Sequence, residues 1–82
     1  MDLKTILFAN AYAQHALYVY EREKFGYDNP LTKRSSAVSR KLYDLIEVAG
    51  LHEEYLATAK AWESIPWPEW REKYGKLVLP DE

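Results

Sequence analysis

The three glycines of this chain, Gly26, Gly50 and Gly75, all stand where a stretch of helical apolar periodicity stops. Together with Pro30, Pro66 and Pro68 they cut the 82 residues into segments whose apolar side chains recur at helical spacing. This pattern predicts an all-α fold: a small bundle of three main helices, a short C-terminal fourth helix and an extended tail. It also predicts one domain over residues 1–82, because no linker, repeat or low-complexity stretch interrupts it.

The first segment reads as a helix from Asp2 to about Phe25, with Asp2 as its N-cap. At 100° per residue, Ile6, Ala9, Ala13, Ala16, Leu17 and Tyr20 fall on one side, and Phe8, Tyr12 and Val19 widen the arc. Asn10, Gln14, His15, Glu21 and Arg22 lie mostly opposite. Ala9, Ala13 and Ala16 form a small-residue strip that admits a close helix neighbour. Gly26 suits a left-handed cap, and Asp28-Asn29-Pro30 is turn chemistry.

A second helix is expected to begin between Thr32 and Ser36 and to end at Ala49. Its apolar stripe is Val38, Leu42, Leu45 and Ala49, widened by Tyr43 and Ile46. The third runs from about His52 to Ser64 with Leu51, Tyr55, Ala59 and Trp62 on one face. Pro68 belongs in the first turn of the fourth, which reaches about Tyr74. Lys76 to Pro80 reads as an extended apolar tail, and Asp81-Glu82 as a frayed end. The expected core is Ala13, Leu17, Leu42, Leu45 and Trp62.

A chain this short has a modest core and needs compensation. With no cysteine, a disulfide framework is excluded; with 15% aromatic residues, dense ring packing is the available route. The formal charge of −2 lacks the basic excess of a general nucleic-acid or membrane-surface binder. No apolar run is long enough to span a membrane. Ala11-Tyr12-Ala13 looks like a signal cleavage site, but the apolar run before it, Ile6-Leu7-Phe8-Ala9, stops at Asn10. A cytoplasmic protein is therefore expected.

Catalytic chemistry finds no support. His52-Glu53-Glu54-Tyr55-Leu56 starts like a helical zinc motif but lacks the second histidine, so no metal site is expected. His52 reads as a solvated residue at a helix start, and His15 as a partly buried, hydrogen-bonded one. Ser35, Ser36, Ser39 and Ser64 occur without a nucleophile elbow, and no glycine-rich loop offers a phosphate or cofactor cradle. Neither an enzyme nor a cofactor is expected.

Two features point to binding. The first is a basic cluster, Lys33, Arg34, Ser36, Ser39, Arg40 and Lys41, at the expected start of the second helix, where hydroxyls and cations grip phosphates. Ser36-Ala37-Val38-Ser39-Arg40-Lys41-Leu42, followed by Leu45 and Gly50-Leu51, resembles the recognition helix of winged helix-turn-helix regulators over about a fifth of the chain. The resemblance implies a DNA-binding regulator in which those six polar residues meet phosphates and bases. The chain departs from that pattern in a Val38–Gly50 interval one residue longer than usual. The stretch Tyr27–Pro30 is rich in turn residues where a short helix precedes, and a helix stands where the β-wing follows. Arg40 also shares its outward face with Asp44 and Glu47.

The second feature is Trp62, Ile65-Pro66-Trp67-Pro68-Glu69-Trp70 and Tyr74. Rings held by prolines either fold back to clasp the core or present an interface, where tryptophan, tyrosine and arginine dominate. The function expected is that of a non-catalytic adaptor or inhibitor, of the size that phage and mobile-element genomes carry in number. It binds another protein through Trp67, Trp70 and Tyr74, with Arg71 and Lys73 at the rim. Within the segment, Trp62 is assigned to the core and Trp67 to the surface. A self-associating subunit using the alanine strip is the third reading.

Overall fold

The computed structural model describes residues 2–78. It is all-α: α1 (Leu3–Phe25), α2 (Pro30–Val48), α3 (His52–Trp62), α4 (Trp67–Tyr74), then one 3-10 turn, Gly75–Leu77. The turn shortens the expected tail. Beyond Val78, whose backbone is extended, the rest of that tail lies outside the described residues.

Local chemistry sets the ends. Asp2 caps α1 by accepting a hydrogen bond from the Thr5 N–H at 2.8 Å. Gly26 ends the helix at φ 86° and ψ 168°. This is the glycine-only extended region, not the left-handed helical one expected of a C-terminal cap. α2 starts at Pro30, earlier than the Thr32–Ser36 expected. Proline suits the first helical position and pushes Asn29 into extended backbone, where its Oδ1 accepts from the Leu31 N–H at 2.9 Å. At the other end of α2, Gly50 donates to Glu47 and Leu51 to Ile46, with Gly50 at φ 76°. These two bonds make a Schellman motif, which a side chain with a Cβ disfavours. α3 stops at Trp62, and a turn carries the chain to Pro66.

α1 is the hub: α2 lies along it in the most extensive helix pairing, and α3 and the 3-10 turn pack on its other sides. The buried apolar residues form one cluster: Phe8, Ala9, Ala11, Ile46, Tyr55, Trp62 and Trp70. Rings dominate it. Trp70 meets Tyr12 at 5.1 Å, Trp62 at 5.5 Å and Tyr74 at 5.5 Å between centroids, and Tyr12 meets Trp62 edge-on at 5.2 Å. Asn10, on the face of α1 expected to be outermost, instead donates to the Leu77 carbonyl at 3.0 Å and fixes the 3-10 turn.

Three expectations about the core are corrected. Leu45 is 51% exposed, and Ile46 is fully buried in its place. α2 turns Thr32, Ser35 and Ile46 inward, because small side chains at positions 32 and 35 let α1 come close. Leu17 is 37% exposed. The eight-residue α4 is too short to cover the whole of the 23-residue α1. Glu21, expected outside, is buried and accepts a hydrogen bond from the Ser35 hydroxyl. Ala13 and Leu42 are half-buried against the core, and Trp62 is buried as expected.

Candidate protein-binding groove

The Trp-Pro segment folds as the start of α4. Pro66 holds extended backbone at φ −56° and ψ 143°, Trp67 is the first helical residue, and Pro68 follows where its missing N–H costs nothing. Trp70 then comes three residues on and Tyr74 seven residues on, both facing the core. Trp70 is 1% exposed, so it and the half-buried Tyr74 are core residues and not the surface expected of them. Trp67 stacks flat on Trp70, with centroids 5.2 Å apart and planes 5° from parallel, and stays 43% exposed.

Trp67 is the shared wall of two concavities. One, of about 310 Å³, is lined by Ala13, Trp67, Trp70, Arg71, Gly75 and Val78. The other, of about 370 Å³, is lined by Ala13, Ala16, Leu17, Tyr20 and Trp67. Together they make a groove that runs from the α4 contact onto the part of α1 that α4 leaves bare. Arg71 stands at one end. Lys24 stands at the other, its Nζ 5.7 Å from the centre of the Tyr20 ring. No carboxylate lines either concavity.

Of the five residues expected to meet a partner, Trp67, Trp70 and Arg71 line this groove, Trp70 from its buried side. Lys73 lies instead over the Tyr74 ring at 5.7 Å. Sequence reasoning missed Ala13, Ala16, Leu17 and Tyr20 as groove residues, having placed them on the buried face. The signal was present in the width of the α1 apolar arc, which exceeds what a short fourth helix can cover.

The basic cluster is divided. Lys33, Ser36 and Arg40 line a cleft with Tyr18 and Tyr27, and Ser39 lines its continuation. Arg34 and Lys41 line neither part. Because α2 starts at Pro30, none of the six sits in its first turn except Lys33 at the edge. Among the described residues there is no strand, so nothing corresponds to a wing.

Both histidines depart from expectation. His52, the first residue of α3, is half-buried and hydrogen-bonds the Tyr43 hydroxyl, and its ring meets Tyr43 edge-on at 5.1 Å. His15 is exposed. Among the described residues no three His, Cys, Asp or Glu side chains gather as a metal site, and no helix is long and apolar enough to cross a membrane. Tyr55, buried at the centre of the cluster, has its hydroxyl pushed up to about 12 by desolvation, with Tyr12 and Tyr43 adding to the effect.

Comparison with protein-family models, with curated proteins and with solved structures gives no match to this chain.

Proposed function

We propose that this is a non-catalytic binding protein, an adaptor or inhibitor, that takes an amphipathic helix of another protein into the groove between α1 and α4. The observation that carries this reading is Trp67: half-exposed, yet held flat on a buried tryptophan by a proline-flanked backbone. A ring held this way loses little entropy when a partner covers it, and such rings dominate interface energies. The groove continues an exposed apolar strip, Leu17 and Tyr20, at helical spacing. Arg71 lines one end and Lys24 lies over the Tyr20 ring at the other, so the partner helix has acidic residues flanking its apolar face. A second copy of this chain fits less well, because a two-fold pairing through the groove brings Arg71 and Lys24 into mutual repulsion.

The test is photocross-linking from position 17 in lysate of the native host. The reading expects a cross-link to a segment with apolar residues at three- and four-residue spacing and carboxylates beside them. Trp67→Ala should abolish the cross-link and remove at least about 2 kcal/mol of binding. Lys41→Gln, on another face, should change neither. A cross-link that survives Trp67→Ala overturns the proposal.

A further inference from the structure

We infer that the cleft between α1 and α2 binds a nucleotide, with its phosphate at Lys33, Ser36 and Arg40 and its flat ring against Tyr18. The site is independent of the groove at Trp67. Tyr18 and Tyr20 are two residues apart, and so about 200° apart around α1.

Lys33, Ser36 and Arg40 recur at three- and four-residue spacing, which brings two cations and a hydroxyl to one flank of α2. They face a cavity of about 220 Å³ whose other wall is Tyr18 and Tyr27. A third cation lies against those rings: the Arg22 guanidinium is 5.4 Å from the Tyr18 centroid and 5.6 Å from that of Tyr27. No carboxylate lines the cavity, although the chain as a whole carries a net charge of −2. The charges that line the cavity are therefore positive, as a phosphate requires, with Asp44 and Glu47 further along the Arg40 face of α2.

The cavity opens into a second, of about 330 Å³, that shares Tyr18, Ser36 and Arg40 with it and is also lined by His15. Cations, hydroxyls and ring surfaces thus line one continuous cleft, with Lys33 in its first part and Tyr18, Ser36 and Arg40 common to both. Tyr27, in the first part beside Lys33, is 66% exposed. At the floor, Thr32 is 1% exposed and its hydroxyl has no hydrogen-bond partner among the described residues. A single nucleotide matches this shape better than duplex DNA, because the wall of the cleft opposite the cations is α1 with Tyr18.

The experiment follows backbone amide signals by NMR while the full chain is titrated with adenosine monophosphate, inorganic phosphate, a short single-stranded oligonucleotide, or duplex DNA. The expected result is saturable shifts at Tyr18, Lys33, Ser36 and Arg40 with the mononucleotide. Arg40→Gln and Lys33→Gln should each weaken it about tenfold, and Tyr18→Leu should weaken it while leaving phosphate binding unchanged. Lys41→Gln should have no effect. If the single strand binds more tightly through the same residues, the nucleotide unit is taken from a strand; if it does not, the free nucleotide is the ligand. Either result supports the site. No shifts, equal affinity for phosphate and mononucleotide, or tighter duplex binding that depends on Lys41 overturns it. Melting curves of each variant separate loss of binding from loss of fold.

Discussion

The two ends of this small bundle are built on opposite packing principles. Where α3 and α4 close over α1, the contacts are made by rings: Tyr12, Trp62, Trp70 and Tyr74 all lie within 5.5 Å of a neighbour by centroid. Along the α1–α2 seam, apart from Ile46, the buried residues are small or polar, among them Ala11, Thr32, Ser35 and Glu21. The aromatic end gains stability from area, the seam from close backbone approach and one buried hydrogen bond. Each also leaves a surface: the aromatic end a hydrophobic groove, the seam a polar cleft. A chain too short for a thick core can thus stabilise itself with rings at one end and spare one of them, Trp67, for the outside.

The largest effect should come from breaking the aromatic end. Trp70→Ala and Trp62→Ala should each cost about 3–5 kcal/mol, most of the stability of so small a domain. Denaturant melts measure it. Next is the orientation of α2. Ile46→Ala should cost about 2–5 kcal/mol and Leu45→Ala under about 0.5 kcal/mol, the reverse of what the sequence stripe suggests. Equal losses would mean that α2 is rotated from the arrangement described.

The seam should respond differently from the rings. Ser35→Ala leaves the buried Glu21 carboxylate without its donor and should cost about 1–3 kcal/mol. Combining it with Glu21→Leu should recover much of that loss, whereas no second substitution should rescue Trp70→Ala. A double-mutant cycle makes this comparison.

The smallest effects are in pH. Tyr55 is held neutral by burial, so its folded value of about 12 lies above its ordinary 10.0. Its contribution is complete below the ordinary value and is lost as pH rises toward the folded one. Alkaline melts should show this decline, and Tyr55→Phe should flatten it. Asp2 is the opposite case. Its carboxyl is held below 3.8 by the Thr5 N–H, so its stabilisation is present above that value and lost as pH falls through the lowered one.

Helix order and the ends set by Asp2, Gly50 and Pro68 were legible in the sequence because they rest on chemistry within one turn, whereas the Asn29 cap of α2 and the extended Gly26 were not. The α3 face was equally legible, since Leu51, Tyr55, Ala59 and Trp62 leave one apolar side. The α2 face was not. Thr32 and Ser35 look like surface residues, and only the closeness of α1 makes smallness decisive. Trp70 was misread for a related reason. Its spacing from Tyr74 fixes their common face, but not whether that face turns in or out. The groove followed from a length mismatch between α1 and α4 that no single residue announces.

The central claim is that one tryptophan of three is reserved for the surface, in a groove with a cationic rim. Fluorescence quenching of the free protein tests it most directly. Iodide should quench a distinct fraction of the emission more strongly than caesium does, because Arg71 and Lys24 draw anions to Trp67. Trp67→Phe should remove that fraction, leaving Trp62 and Trp70 shielded from both ions. If iodide quenching is unchanged in Trp67→Phe, Trp67 is not the accessible ring and the division of roles among the tryptophans is wrong.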